Sequence, residues 1–172
     1  MTSIQMILAL GAMILLTILI TNVNKNSLHT EDVMYDSNFG ITATSIASSI
    51  IEDASKKRFD NIYYNDLDTT AVYDPTEFTP AANLGIDSGE VAANSRTFND
   101  FDDYDGYTGV DSTMPSAVFN FSSIVNYINA NDPDATLNTQ SFHKKITVKV
   151  WSISMKDTMI MSSIYSYWSF LP

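Results

Sequence analysis

Residues 4–20 read IQMILALGAMILLTILI, an almost wholly apolar run broken only by Gln5, Gly11 and Thr17, and no charged side chain occurs before Lys25. As an α-helix rising about 1.5 Å per residue the run is roughly 26 Å long, close to the hydrocarbon thickness of a bilayer. It can sit in a membrane. No positive stretch precedes it and no small-x-small site follows it, since residues 21–26 read TNVNKN, so the segment is expected to be retained rather than cut away as a secretory signal. No proline occurs before Pro75, and a helical pattern runs on from about Asp32 to Phe59. One very long helix is the expectation, apolar over residues 1–28 and amphipathic over about 29–59.

The amphipathic part shows its face plainly. Phe39, Ala43, Ile46, Ala47, Ile50 and Ala54 recur at spacings of three and four with Ile51 on the flank, whereas Ser45, Ser48, Ser49, Glu52, Asp53 and Lys56 take the other side. Such a helix packs against something, and Lys56, Lys57 and Arg58 suit the negative end of its dipole. Residues 60–111 carry turn signals at Asp74-Pro75, Thr79-Pro80, Asp87–Gly89 and Asp105-Gly106, which predict a long irregular or weakly stranded region packed by Tyr63, Tyr64, Tyr73 and Phe78. Strand signals follow. Ala117–Phe121 is short and apolar, and Ile146, Val148 and Val150 alternate with Thr147, Lys149 and Trp151. Lys156-Asp157 reads as a turn before a second strand at Thr158–Trp168, so the pair forms an antiparallel hairpin. The fold class is α+β: a long N-terminal helix packed on a small antiparallel sheet, with residues 29–172 making one head.

All charge lies from Lys25 onward, where nine Lys+Arg meet twenty Asp+Glu for a net charge of −11. An acidic head disfavours nucleic acid and anionic lipid surfaces as partners, because both require a cationic face. Cysteine is absent, which excludes disulfides, thiolate metal sites and cysteine nucleophiles. His29 and His143 are the two histidines, far apart in the chain and without metal-ligand spacing. No Ser/His/Asp arrangement or phosphate-binding glycine loop is present, so neither an enzyme nor an organic cofactor is expected. The aromatic end, Tyr165, Tyr167, Trp168 and Phe170, reads as packing against the helix or a neighbouring subunit rather than as a carbohydrate platform.

One stretch is dense in hard oxygen ligands. Residues 99–111, NDFDDYDGYTGVD, hold Asp100, Asp102, Asp103, Asp105 and Asp111, a candidate calcium set. It is not an EF-hand, since placing Gly106 at the loop's glycine position puts Phe101 first and Ser112 twelfth. Two readings stand: a calcium site of another kind, or an acidic surface turn whose Phe101, Tyr104 and Tyr107 pack inward.

The apolar half-helix running into an amphipathic half and a small antiparallel sheet resembles the type IV pilin and pseudopilin family. Ile46–Asp60 (IASSIIEDASKKRFD), Asp100–Tyr107 (DFDDYDGY), Lys145–Trp151 (KITVKVW) and Ser162–Trp168 (SSIYSYW) are similar to stretches of prepilin-type proteins akin to mannose-sensitive haemagglutinin pilins. The resemblance implies a fimbrial, cell-adhesion type of surface filament, a helical homo-oligomer whose subunits sit in the membrane before assembly and are extracellular afterwards. It also implies a prepilin peptidase, with Met1 either the first mature residue or an initiator, and an assembly ATPase with its platform protein. Ile4, Gln5, Ile7, Leu8, Gly11, Leu15, Ile18 and Leu19 are the implied assembly interface. Two departures stand out: Gln5 replaces the family's usual glutamate, so the charge pair to a neighbouring terminal amine cannot form, and Asn22 replaces a frequent proline. A minor pilin or pseudopilin of a secretion or uptake machine, and a single-span membrane-anchored binding protein, would share most of these features.

Overall fold

The structure is a computed structural model that describes residues 2–61 and 74–170. Helix α1 runs Ser3–Ser55. Its start is held by Gln5, whose side-chain oxygen accepts the Thr2 N–H at 3.0 Å while the Gln5 N–H donates to the Thr2 carbonyl, half of a reciprocal capping box. Thr17 in the apolar run and Thr21 just after it do not leave their hydroxyls unsatisfied. Thr17 donates to the Met13 carbonyl and Thr21 to that of Thr17, each four residues back.

The chain divides into two compact units, Met1–Phe39 and Gly40–Pro172, and α1 supplies residues to both. Within the first unit the apolar side chains of residues 4–35 are open, Ile4, Ile7 and Leu15 each about 70 % exposed, whereas Phe39 at its end is buried. Tyr35 and Phe39 stack on one another near its end, with ring centroids 6.3 Å apart.

Within the second unit Ala43, Ala47, Ile50 and Ala54 are buried and Ile46 is half-buried, while Ser45, Ser48, Ser49 and Glu52 are exposed, so the face legible in the periodicity is the face that packs. Alanine at three of these positions lets the helix approach its neighbours closely. The helix stops at Ser55, short of the expected Phe59, because the following residues have stronger partners elsewhere. Arg58 forms a parallel bridge with Asp100, its carbonyl accepting the Phe101 N–H at 2.8 Å. Phe59 is buried among Phe78, Tyr165 and Tyr167. The Tyr165 hydroxyl lies 2.7 Å from the carbonyl of Ser55, an acceptor that the helix end leaves without an intrahelical donor, and 2.8 Å from that of Lys57 just beyond it. The three basic residues do not sit in the last helical turn. Lys56 pairs with Glu52, and Lys57 donates to the carbonyls of Ser95 and Phe98.

The sheet is antiparallel, and among the described residues it has five strands: β1 Thr108–Asp111, β2 Phe119–Asn129, β3 Asp132–Leu137, β4 His143–Trp151 and β5 Met159–Ser166. The order is β1-β2-β4-β5, with β3 also on β2. Strand β2 pairs with β4 along one edge, while β1 takes residues 119–122 and β3 residues 127–129 of the other. The predicted hairpin of β4 and β5 is present, though β5 ends at Ser166 and a 3-10 turn Tyr167–Phe170 follows. Ile146, Val148 and Val150 are fully buried, as their alternation requires. Strand β2 is longer than the apolar Ala117–Phe121 suggested. Strand β3, reading DPDATL, carried no strand signal; it is an exposed edge strand, where Pro133 is tolerated.

Between α1 and β1 the described residues form short 3-10 turns at Pro75–Glu77, Ala81–Asn83 and Asp102–Tyr104 and loops between them. Phe78 is buried as expected, whereas Tyr63, Tyr64 and Tyr73 lie outside the described residues. The turn ending at Tyr107 is fastened to β2: the Ser123 hydroxyl donates to the Tyr104 carbonyl at 2.7 Å, and the Ser123 N–H donates to that of Tyr107. Gly109 faces Phe121 across the β1–β2 register, and a Cβ there would stand 2.4 Å from the phenyl ring. Any side chain at position 109 would require the Phe121 ring to move.

Candidate functional site

The first candidate is the apolar half of α1. Among the described residues, α1 alone is long and apolar enough to cross a membrane, by length and composition, and its apolar window has no side chain buried. Ile4, Ile7, Leu8, Leu15, Ile18 and Leu19 are all more than half exposed, and Gly11 has open space where a Cβ would stand. At 3.6 residues per turn these positions share one face of the helix, and Met6, Leu10, Met13, Leu16 and Ile20, each also more than half exposed, continue the apolar surface round its other sides. Gln5 is satisfied within its own turn by Thr2.

The second candidate is the acidic stretch 99–111, whose five carboxylates the fold sorts into different tasks. Asp111 caps its own turn, accepting the N–H and hydroxyl of Thr113. Asp105 accepts the Val125 N–H at 2.9 Å, extending the contact of the turn with β2, and burial pushes its pKa up against that hydrogen bond. Asp102 accepts from Lys144 at 2.6 Å inside the head; burial pushes its pKa up and the lysine charge opposes it. Lys144 also donates to Asp60 and to the Phe59 carbonyl.

Asp100 and Asp103 remain, and with Asp87 their carboxylate oxygens lie within 4.8 Å of one another. The backbone holds one oxygen of each buried carboxylate. Asp100 Oδ1 accepts the N–H groups of Asp102 and Asp103, and Asp103 Oδ2 accepts those of Asn99 and Asp100. Asp100 Oδ2, Asp103 Oδ1 and Asn99 Oδ1 are buried without a hydrogen-bond partner. Burial, with the negative charges of Asp102 and Asp103, pushes Asp100 up to about 9. Burial and the adjacent Glu90 push Asp103 up to about 7. Glu90 is itself engaged, accepting from the Asp87 N–H and the Asn99 amide. Asp87 is exposed and bonded by the Asn61 amide.

Asp87, Glu90 and Lys144 were not legible as members of this site. Asp87 read only as a turn residue, and no local spacing ties it to positions thirteen and sixteen further on. For Lys144 a signal exists, since it continues inward the alternation of Ile146, Val148 and Val150. The aromatic end is divided: Tyr165 and Tyr167 are buried against Phe101, Phe59 and Phe78, whereas Trp168 packs on Phe142 and stays half exposed. His29 and His143 belong to different units. No family model, curated protein or solved structure matches the chain.

Proposed function

We propose that this chain is the structural subunit of an extracellular type IV pilus-like filament, held in the membrane by the apolar part of α1 until it is assembled. One observation carries the reading: apolar side chains cover that part of the helix on every side, and none of them is buried. In a bilayer such a surface is satisfied by lipid, and in a filament the same surface is satisfied by equivalent helices. Packing between apolar helices gains little from leaving lipid, so contact geometry decides it, and Gly11 leaves space for a close neighbour. The contact between unlike patches of successive subunits is heterologous and open, and therefore propagates as a helix. The α+β head and the net charge of −11 suit a soluble surface facing water. Processing by a prepilin peptidase and extrusion by an ATPase with its platform protein belong to the same proposal.

Electron microscopy of sheared extracellular material, with mass spectrometry of the main band, tests it. Filaments built chiefly of this chain are the expected result. The chain as a trace component of filaments built from another subunit would make it a minor pilin, and its recovery solely as a membrane-bound monomer would make it a single-span anchored protein. Either outcome overturns the proposal.

A further inference from the structure

The free oxygens of Asp100 and Asp103 are the features of the head that its own chemistry leaves incomplete. Both residues are about 1 % exposed, and each carboxylate has one oxygen positioned by two backbone N–H groups and the other without a donor. Asn99 adds a third buried acceptor without a donor in the same turn. Among the described residues these three are the buried side-chain polar atoms left unpartnered, and all are oxygens. Orphaned acceptors are the complement of a cation.

We propose that Asp87, Asp100 and Asp103 hold one calcium ion. Oxygens within 4.8 Å of one another can share an ion that takes its ligands at about 2.3–2.6 Å. The cluster offers carboxylates and no nitrogen or sulfur, which favours a hard cation over zinc or copper. Magnesium demands near-ideal octahedral geometry and gives up water reluctantly, whereas calcium accepts irregular oxygen sets. The arrangement also supplies an entrance, because Asp87 is exposed beside two buried carboxylates. A proton on Asp103 directed at Glu90 is the competing way to quiet the site. With a second proton on Asp100 shared with Asp102, Asn99 Oδ1 would still be left without a donor, whereas one cation serves oxygens from several residues. The ligand set differs from the five carboxylates of the acidic stretch: Asp102, Asp105 and Asp111 serve Lys144, Val125 and Thr113, and Asp87 joins from outside it. The proposal is independent of the filament reading.

The full-length chain in detergent, stripped with chelator and dialysed, is titrated with calcium chloride by calorimetry and then melted with and without the ion. One saturable site is expected by about 10⁻³ M calcium, the range of extracellular calcium modules, with a raised Tm and a weaker response to magnesium chloride. Asp87→Ala should weaken binding at least tenfold while leaving the far-ultraviolet circular dichroism unchanged, since this residue is exposed. Asp103→Asn keeps an acceptor for the backbone N–H groups and should abolish binding. Asp111→Asn should bind as the parent does. Absence of both binding heat and Tm shift in the parent chain overturns the proposal, as does an Asp87→Ala variant that binds with undiminished affinity.

Discussion

Lys144 Nζ stands 2.6 Å from Asp102 Oδ1 with the lysine side chain wholly buried. Its other donors reach Asp60 at 3.0 Å and the Phe59 carbonyl at 2.7 Å, so all three ammonium hydrogens are used. The rings of Phe59 and Tyr127 lie 4.6 and 5.3 Å from the nitrogen. One side chain of β4 thereby joins the acidic turn to the segment that leaves the helix. Lys144→Met should destabilise the protein by about 3–5 kcal/mol, because it strands two buried carboxylates without their cation. Urea unfolding followed by circular dichroism checks this; a loss below about 1 kcal/mol would place the lysine in solvent.

Gly109 and Phe121 make a second long-range dependence. Gly109→Ala should destabilise by about 1–3 kcal/mol, since the new methyl group would stand inside the contact distance of the Phe121 ring. Removing the ring should relieve that strain. In thermal unfolding, Gly109→Ala is therefore expected to be less damaging in a Phe121→Ala background than alone, and simple additivity would refute the clash.

Stability should fall with rising pH in calcium-free buffer. Asp100 and Asp103 are raised from an ordinary value of 3.8 to about 9 and about 7, chiefly by burial, so the folded state holds protons that the unfolded chain releases. Their protonated forms suit the fold fully below about pH 3.8, and that contribution is lost as pH climbs through about 7 and on toward 9. Melting scans from pH 5 to 8 with chelator present should show a declining Tm. A Tm that rises across this interval would show that these carboxylates are not desolvated.

If the chain builds the proposed filament, Gln5→Leu should still form it. The Gln5 oxygen is engaged with the Thr2 N–H of its own chain, so its loss removes a helix-start hydrogen bond worth about 0.5–1.5 kcal/mol and no charge pair between subunits. Counting filaments on cells with matched membrane levels of each variant is the measurement. If Gln5→Leu reaches the membrane yet assembles none while Gln5→Glu assembles normally, a specific polar contact at position 5 is required.

The apolar run at residues 4–20, the packing face at Ala43, Ala47, Ile50 and Ala54, and the β4–β5 hairpin were all readable from sequence, because each is a local periodicity that a few neighbouring residues express by themselves. The end of the helix was not. It is set at Ser55 by Tyr165, Phe78 and the bridge from Arg58 to Asp100, partners up to 110 positions away. Strand β3 was hidden for a related reason: a polar edge strand buries too little to leave an alternating pattern, and pairing with β2 defines it. The acidic stretch shows the division most clearly. Its density of carboxylates was plain in the chain, but which of them meet a lysine, a backbone N–H or one another depends on chain segments brought together from residues 60, 87, 125 and 144. Composition can announce that charge must be compensated; only the tertiary fold decides by what, since desolvation and distance act between residues that share space rather than sequence.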